Sequence, residues 1–384
     1  MFIRILFAEK TSWEEGLESP IKKTLKELNL GSPPRNIVEQ LAYLTIASPA
    51  ICSHRFLDAL SYPENNIDYL AFFGAFRIAD SFRKFFNVAE NIAVIDKHSS
   101  PQKAYWENIL DYSACGNLQA MVDEFASALI DHNGLWNHSL KEKTNMLIQL
   151  LSDSIGANTV SVIGHTYNSF INKESKPEWF RCHFGVSLNH SLVNEKDVMR
   201  SDNIRNAFNS PFRPFILATT SIGQEGLDFH LYCRKILHWN LPSNPVDFEQ
   251  REGRINRFKN LAIRQNLAIK YRNQLKEINS ASLWNQLFEL AAKNEKESKS
   301  DLVPFWHVEP ENIFIERQVP IIPYSKDASK LKNLLKTISV YRIALGQPRQ
   351  EELVNYLISN LDEEEINEIQ SELLINLSPY RNMG

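Results

Sequence analysis

Between residues 121 and 275, short apolar runs rich in β-branched residues alternate with stretches of helical periodicity. No other feature restricts the fold of this chain as much. TVSVIGH, RCHFGVSL, PFILATT and KILHWNLP read as strands. VMRSDNIRNAF, between the second and the third, reads as an amphipathic helix, and another helical pattern follows the fourth. Strands alternating with helices predict a parallel sheet with helices on its faces, an α/β domain. The flanks differ. Residues 1–120 read as helical, with VEQLAYLTIASPAICSHRFLDAL and IDYLAFFGAFRIADSFRKFFN carrying apolar residues at helical spacing. Phe72, Phe73, Phe76, Phe82, Phe85 and Phe86 could be a platform for stacking bases, but a helix packed into a core explains them better. From about 276 helices return in SLWNQLFELAAK, LKNLLKTISVYRIAL and EELVNYLISNL, with a proline-rich, extended piece at VPFWHVEPENIFIERQVPIIPYS.

Composition narrows the class. The chain has 384 residues, 43% apolar and 23% charged, which suits a globular protein of two or three domains. It lacks an apolar run of about 20 residues, the length a spanning helix needs, so no membrane role is expected. The start, MFIRILFAEK, lacks the pattern of a secretory signal. Cys52, Cys115, Cys182 and Cys233 lie far apart with no CxxC pair, which predicts no metal site and a cytoplasmic location. The net charge of −4 gives no global sign of a nucleic-acid binder. Locally the balance changes. Residues 200–272 hold 12 Lys and Arg against 6 Asp and Glu, an excess of 6 positive charges. Residues 351–376 hold 8 acidic residues and no Lys or Arg, read as a solvated helix face.

The basic stretch contains FEQREGRINRF, residues 248–258. On a continuous helix Gln250, Gly253, Arg254 and Arg257 share one face. That face offers an amide, two guanidinium forks and a patch of bare backbone. Glycine in a helix interior costs about 1 kcal/mol relative to alanine, so Gly253 wants a reason. Planar guanidinium groups suit phosphate. Upstream, PFILATTSIGQEGLDFH ends an apolar run at Thr219 and Thr220 and continues into a loop with Gly223 and Gly226. Hydroxyls and bare amides of such a loop can hold phosphate oxygens where strands end. Asp228 could accept from a ribose hydroxyl or from one of the arginines. The competing reading is a solvated surface helix whose Glu249 and Glu252 pair its own arginines. His165, His183, His230 and His238 read as structural, since they form no ligand cluster.

ATTSIGQEGLDFH resembles motif V, and QREGRINR resembles motif VI (QxxGRxxR), of superfamily 2 helicases and translocases. HWNLPSNPVDFEQREGRINRF is especially similar to the RapA and Swi/Snf-type branch, in large bacterial proteins. The resemblance implies that residues 121–275 are a RecA-like helicase C-terminal domain. The flanks would be a helical N-terminal region at 1–120, an insertion or bridge between motor domains, and a mainly helical C-terminal extension at 276–384. It also implies roles. Arg257 would be the arginine finger that reaches the γ-phosphate, with Arg254 beside it and Gln250 on the γ-phosphate or the attacking water. Gly226 and Asp228 would sense nucleotide, Gly253 would bind the cofactor with them, and Thr220, with Thr219, would touch the nucleic-acid backbone. The implied cofactors are ATP and magnesium, and the implied nucleic acid is double-stranded DNA. TVSVIGHTYN is the candidate for motif IV.

A motor of this kind needs a GxxxxGK[ST] phosphate loop and a DExx stretch. Neither is present in the 384 residues; Asp362-Glu363-Glu364-Glu365 lies in the acidic stretch with no phosphate loop before it. The first expectation is therefore half of a composite ATPase, completed in trans by a motor subunit that carries the P-loop and the DExx box. The alternatives are a non-catalytic module that binds nucleic acid or a partner, and an inactive helicase fragment.

Overall fold

The computed structural model describes residues 36–61, 68–98, 103–156, 160–164, 167, 171, 178–182, 205–212, 214–219, 228–275, 282–295, 301–309 and 313–373. The chain divides into two compact units, residues 1–156 with 279–281, and residues 157–278 with 282–384.

The described residues of the first unit are helical: α1 (Ile37–Ala47), α2 (Pro49–Ser61), α3 (Asp68–Phe86), α4 (Ala89–His98), α5 (Tyr105–Ala114), α6 (Asn117–His132) and α7 (Leu140–Ile155). α7 begins where Ser139 and Glu142 cap each other, Ser139 Oγ accepting from the Glu142 amide at 3.4 Å. Such a box satisfies amides that have no partner inside the helix. α3 packs on α2 and α7, and α6 packs on α2. At Gly74 α3 packs tightly against α7, since a Cβ there would lie 2.3 Å from Ile148 Cδ1. The six phenylalanines of α3 behave as core residues: Phe82 and Phe86 are buried, and none of the other four is exposed.

The second unit contains α8 (Pro245–Glu252), α9 (Leu261–Lys270), α10 (Leu283–Asn294), α11 (Asp327–Ile343), α12 (Gln350–Asn360) and α13 (Glu363–Leu373). Its strands are β1 (Val160–Gly164), β2 (Glu178–Cys182), β3 (Lys235–Leu237) and β4 (Glu316–Gln318). β3 and β4 run parallel, with Lys235 opposite Glu316, Ile236 opposite Arg317 and Leu237 opposite Gln318. The proline-rich extended piece thus adds a strand beside KILHWNLP. Phe229, Ile255, Ala262 and Ile315 form one core cluster, and Leu241, Phe248, Leu334 and Ile338 form another that joins α8 to α11.

Three expectations differ from this arrangement. β1 and β2 pair antiparallel, with Val160 opposite Cys182. A parallel crossover needs about a dozen residues or more, and the stretch 165–177 is at that limit. Of RCHFGVSL, only Arg181 and Cys182 belong to a described strand, and the remainder lies outside the described residues. PFILATT forms no ladder among the described residues; Phe215 is 76% and Ile216 87% exposed, while Leu217 packs on the Phe229 cluster. A β-branched apolar run gives the same local signal with or without a hydrogen-bonded neighbour, so its pairing is a tertiary matter.

Candidate functional site

α8 starts at Asn244, whose side chain accepts from the Val246 amide at 2.9 Å, with Pro245 in the first turn. It ends at Glu252, with Gly253 as its C-cap. The amides of Arg254 and Ile255 then reach only three residues back, to the carbonyls of Arg251 (3.3 Å) and Glu252 (3.1 Å). The single helical face expected for Gln250, Gly253, Arg254 and Arg257 is therefore corrected. Gln250 is on the helix and exposed, Arg254 follows in a tighter turn, and Arg257 comes just after it. This tightening is a common way for a helix to end. Gly253 has φ −59°, and an added Cβ would meet only the carbonyl oxygens of Glu249 and Gln250, at 3.3 and 3.5 Å. Left-handed backbone is not what glycine supplies here.

The turn meets the end of the motif V-like loop. Arg257 Nε donates to Asp228 Oδ1 at 2.9 Å, and the Phe229 amide donates to the Arg254 carbonyl at 2.9 Å. Of the two donors considered for Asp228, the arginine is the one it contacts. Asn209 holds the same segment, its Nδ2 donating to the Asp228 carbonyl at 2.6 Å and its Oδ1 accepting from the Leu231 amide at 3.4 Å. Arg254 Nε is buried and has no hydrogen-bond partner among the described residues. Arg251, the third arginine of the motif, donates to the Asn240 carbonyl at 2.9 Å and so ties α8 to the chain before it.

The acidic residues of the motif turn elsewhere. Glu249 pairs with Arg342 of α11, whose Nε is 3.2 Å from Oε1. Glu252 is buried and takes both arms of Arg317 of β4, through Nε and through Nη2, the latter at 2.8 Å from Oε2. His238 Nε2 also lies 3.3 Å from Glu252 Oε1. Burial pushes the Glu252 carboxyl up, but its hydrogen bonds to Arg317 and His238, and their charge, outweigh this and leave it below the usual range. Phe248 fills the space beneath, with the His238 ring stacked at 4.4 Å and the Arg317 guanidinium over its face at 5.0 Å. A surface helix whose glutamates neutralise its own arginines is not what forms. His238 and His230 are buried, in keeping with a structural role.

Of the other sequence candidates, Thr219 is described and exposed, whereas Thr220 and Gly226 lie outside the described residues, as do His165 and His183. The structure adds Asn209, Arg317 and Arg342. The two arginines are 65 and 93 positions from their glutamates, and no local pattern marks them. The guanidinium groups of Arg254 and Arg257 suit phosphate oxygens and not magnesium, which takes oxygen ligands. No helix among the described residues is long and apolar enough to cross a membrane.

No curated protein and no solved structure matches the chain. The family match begins inside α7 and ends just past the arginine turn, and it implies a RecA-like fold in a chain whose described elements are mostly helices with the small parallel β3–β4 sheet. Residues 142–259, with Asp228, Arg254 and Arg257 among them, match the helicase conserved C-terminal domain.

Proposed function

We propose that this chain supplies the second motor domain of a nucleic-acid-dependent ATPase of superfamily 2, acting on double-stranded DNA and completed by a domain with a P-loop and a DExx box. The observation that carries this reading is the division of charge around motif VI. Glu249 and Glu252 are occupied by Arg342 and Arg317, so the motif's own carboxylates do not neutralise Arg254 and Arg257.

ATP with magnesium, held by the P-loop half, would supply the phosphoryl group and its leaving group. Arg257 would swing from Asp228 to the developing negative charge, an exchange made easy because both side chains are about 40% exposed. An exposed ion pair is worth only about 0–1 kcal/mol. Arg254 would give its buried Nε a phosphate oxygen as acceptor; a buried donor without one costs about 1–3 kcal/mol. Gln250, exposed one turn earlier, would orient the attacking water, and the bare backbone at Gly253 would let the phosphates approach. Thr219 and Thr220 would contact the DNA backbone without reading its sequence. The RapA and Swi/Snf-type resemblance supports translocation on duplex DNA.

The test is DNA-stimulated ATP hydrolysis by this chain, alone and mixed with the product of the neighbouring upstream gene. Hydrolysis by the mixture, abolished by Arg257→Ala, is the expected result. DNA binding without hydrolysis in either sample would favour a non-catalytic binding module and overturn the motor reading.

A further inference from the structure

The family match stops at residue 259, yet the two arginines that hold the motif's glutamates, Arg317 and Arg342, come from beyond it. Glu252 is the last residue of α8. Its carbonyl oxygen accepts from two amides at once, those of Ile255 (3.1 Å) and Asn256 (3.0 Å). The turn that carries Arg254, and Arg257 directly after it, therefore hangs from the Glu252 backbone. The side chain of the same residue is held from the opposite side by both arms of Arg317 and by His238. Arg317 is fixed in turn by the parallel register that sets it opposite Ile236, and by its contact with the face of Phe248. A slip of one residue in that register would point Arg317 to the other face of the strand.

We propose that Arg317 is a positioning residue for the arginine site, holding Glu252 so that Arg257 meets Asp228 and both Arg254 and Arg257 are presented to the incoming phosphate. The C-terminal segment thereby becomes part of the motor domain's working unit. Two parallel hydrogen bonds to a planar carboxylate set its orientation, which one ammonium group cannot do. His238 Nε2 adds a third contact, 3.3 Å from Glu252 Oε1. Arg342 on Glu249 gives a second, more exposed hold one turn earlier.

The proposal rests on the arginine-site reading, and its test separates the two. In the full chain, the Nε–Hε NMR signals of Arg254 and Arg257, assigned from Arg254→Lys and Arg257→Lys, are followed in Glu252→Gln and Arg317→Lys. Arg234→Lys is the control, since it weakens the neighbouring Arg234–Glu316 pair without touching Glu252. Both signals are expected to shift, or to be lost to exchange with water, in the first two variants and to stay in place in the control. Arg317→Lys keeps the charge and one hydrogen bond, so it remains informative if Glu252→Gln does not fold. Unmoved signals in a folded Arg317→Lys chain would overturn the proposal. In the composite ATPase assay the same two variants should lower kcat at least 10-fold while KM for ATP changes less than 3-fold. Hydrolysis that needs Arg257 but ignores both variants would also overturn positioning. Signals that respond in a chain that never supports hydrolysis would keep the positioning and sink the motor reading.

Discussion

Arg257 reaches back 29 positions to Asp228, Nε to Oδ1 at 2.9 Å, and so joins the two motifs that the sequence separates. The contact is half exposed, so it aims the guanidinium without contributing much to stability. In the composite assay Arg257→Ala should reduce DNA-stimulated hydrolysis about 10³-fold or more, the usual worth of an arginine finger. Asp228→Asn keeps the shape but weakens the aim, and should cost less than Arg257→Ala. Equal turnover in wild type and Arg257→Ala would remove Arg257 from the chemistry.

Gly253 separates folding from function. Its dihedrals suit any residue, and a methyl group there meets only two carbonyl oxygens of its own chain. Gly253→Ala should leave the unfolding free energy from urea titration within about 1 kcal/mol of wild type, since its dihedrals suit alanine and even inside a helix the two residues differ by only about that much. Its hydrolysis in the composite assay should fall at least tenfold if bare backbone is what the phosphates need.

The two glutamates of the motif should differ in their effect on stability. Glu252→Ala strands the Arg317 charge in a buried place and should destabilise the second unit by about 3–5 kcal/mol. Glu249→Ala breaks a pair that is about one-third exposed and should cost about 0–1 kcal/mol. Urea denaturation of both variants checks the ranking, and a Glu249 cost as large as that of Glu252 would contradict it.

Acid should act through the same carboxyl. Burial raises the pKa of Glu252, while Arg317 and His238 lower it more, so the folded value lies below the ordinary 4.5. A depressed carboxylate contributes stability that is complete above its unfolded pKa and is lost as pH falls through the folded one. Glu316 adds in the same direction, since its pairs with Lys235 and Arg234 outweigh the effect of its burial. Wild type should lose stability below about pH 4.5, and Glu252→Gln should show a flatter dependence in urea titrations at pH 3–7.

In the first unit the informative position is Gly74. A Cβ there would sit 2.3 Å from Ile148 Cδ1 and 3.1 Å from Leu57 Cδ1. Gly74→Ala gains about 1 kcal/mol of helix propensity but overpacks the α3–α7 contact, which usually costs about 1–3 kcal/mol. Net destabilisation is expected, partly relieved when Ile148→Val removes the nearest methyl. Thermal melts of the single and double variants decide it, and additive effects would speak against the contact.

Much of the local structure was legible. The helical patterns of IDYLAFFGAFRIADSFRKFFN and SLWNQLFELAAK became α3 and α10 to within a residue or two at each end, because their apolar spacing states which face must be buried. The motif V and VI resemblance led to residues that do meet, Asp228 and Arg257. Less could be read about how the motif ends. FEQREGRINRF looks continuous as a helical string, yet the helix stops at Glu252, with Arg254 in the turn that follows and Arg257 just after it.

The amino-acid order by itself determined the apolar periodicities, the caps and the phosphate-suited chemistry of Gln250, Gly253, Arg254 and Arg257, all of which act within a few residues. Only the tertiary structure decided which strands pair, that β1 returns antiparallel to β2, and that PFILATT finds no ladder partner among the described residues. It alone also decided that Arg317 and Arg342 claim the motif's glutamates, while Arg257 pairs with Asp228. Those choices depend on groups 65 and 93 positions away, and local sequence carries no record of which distant charge a buried carboxylate will meet.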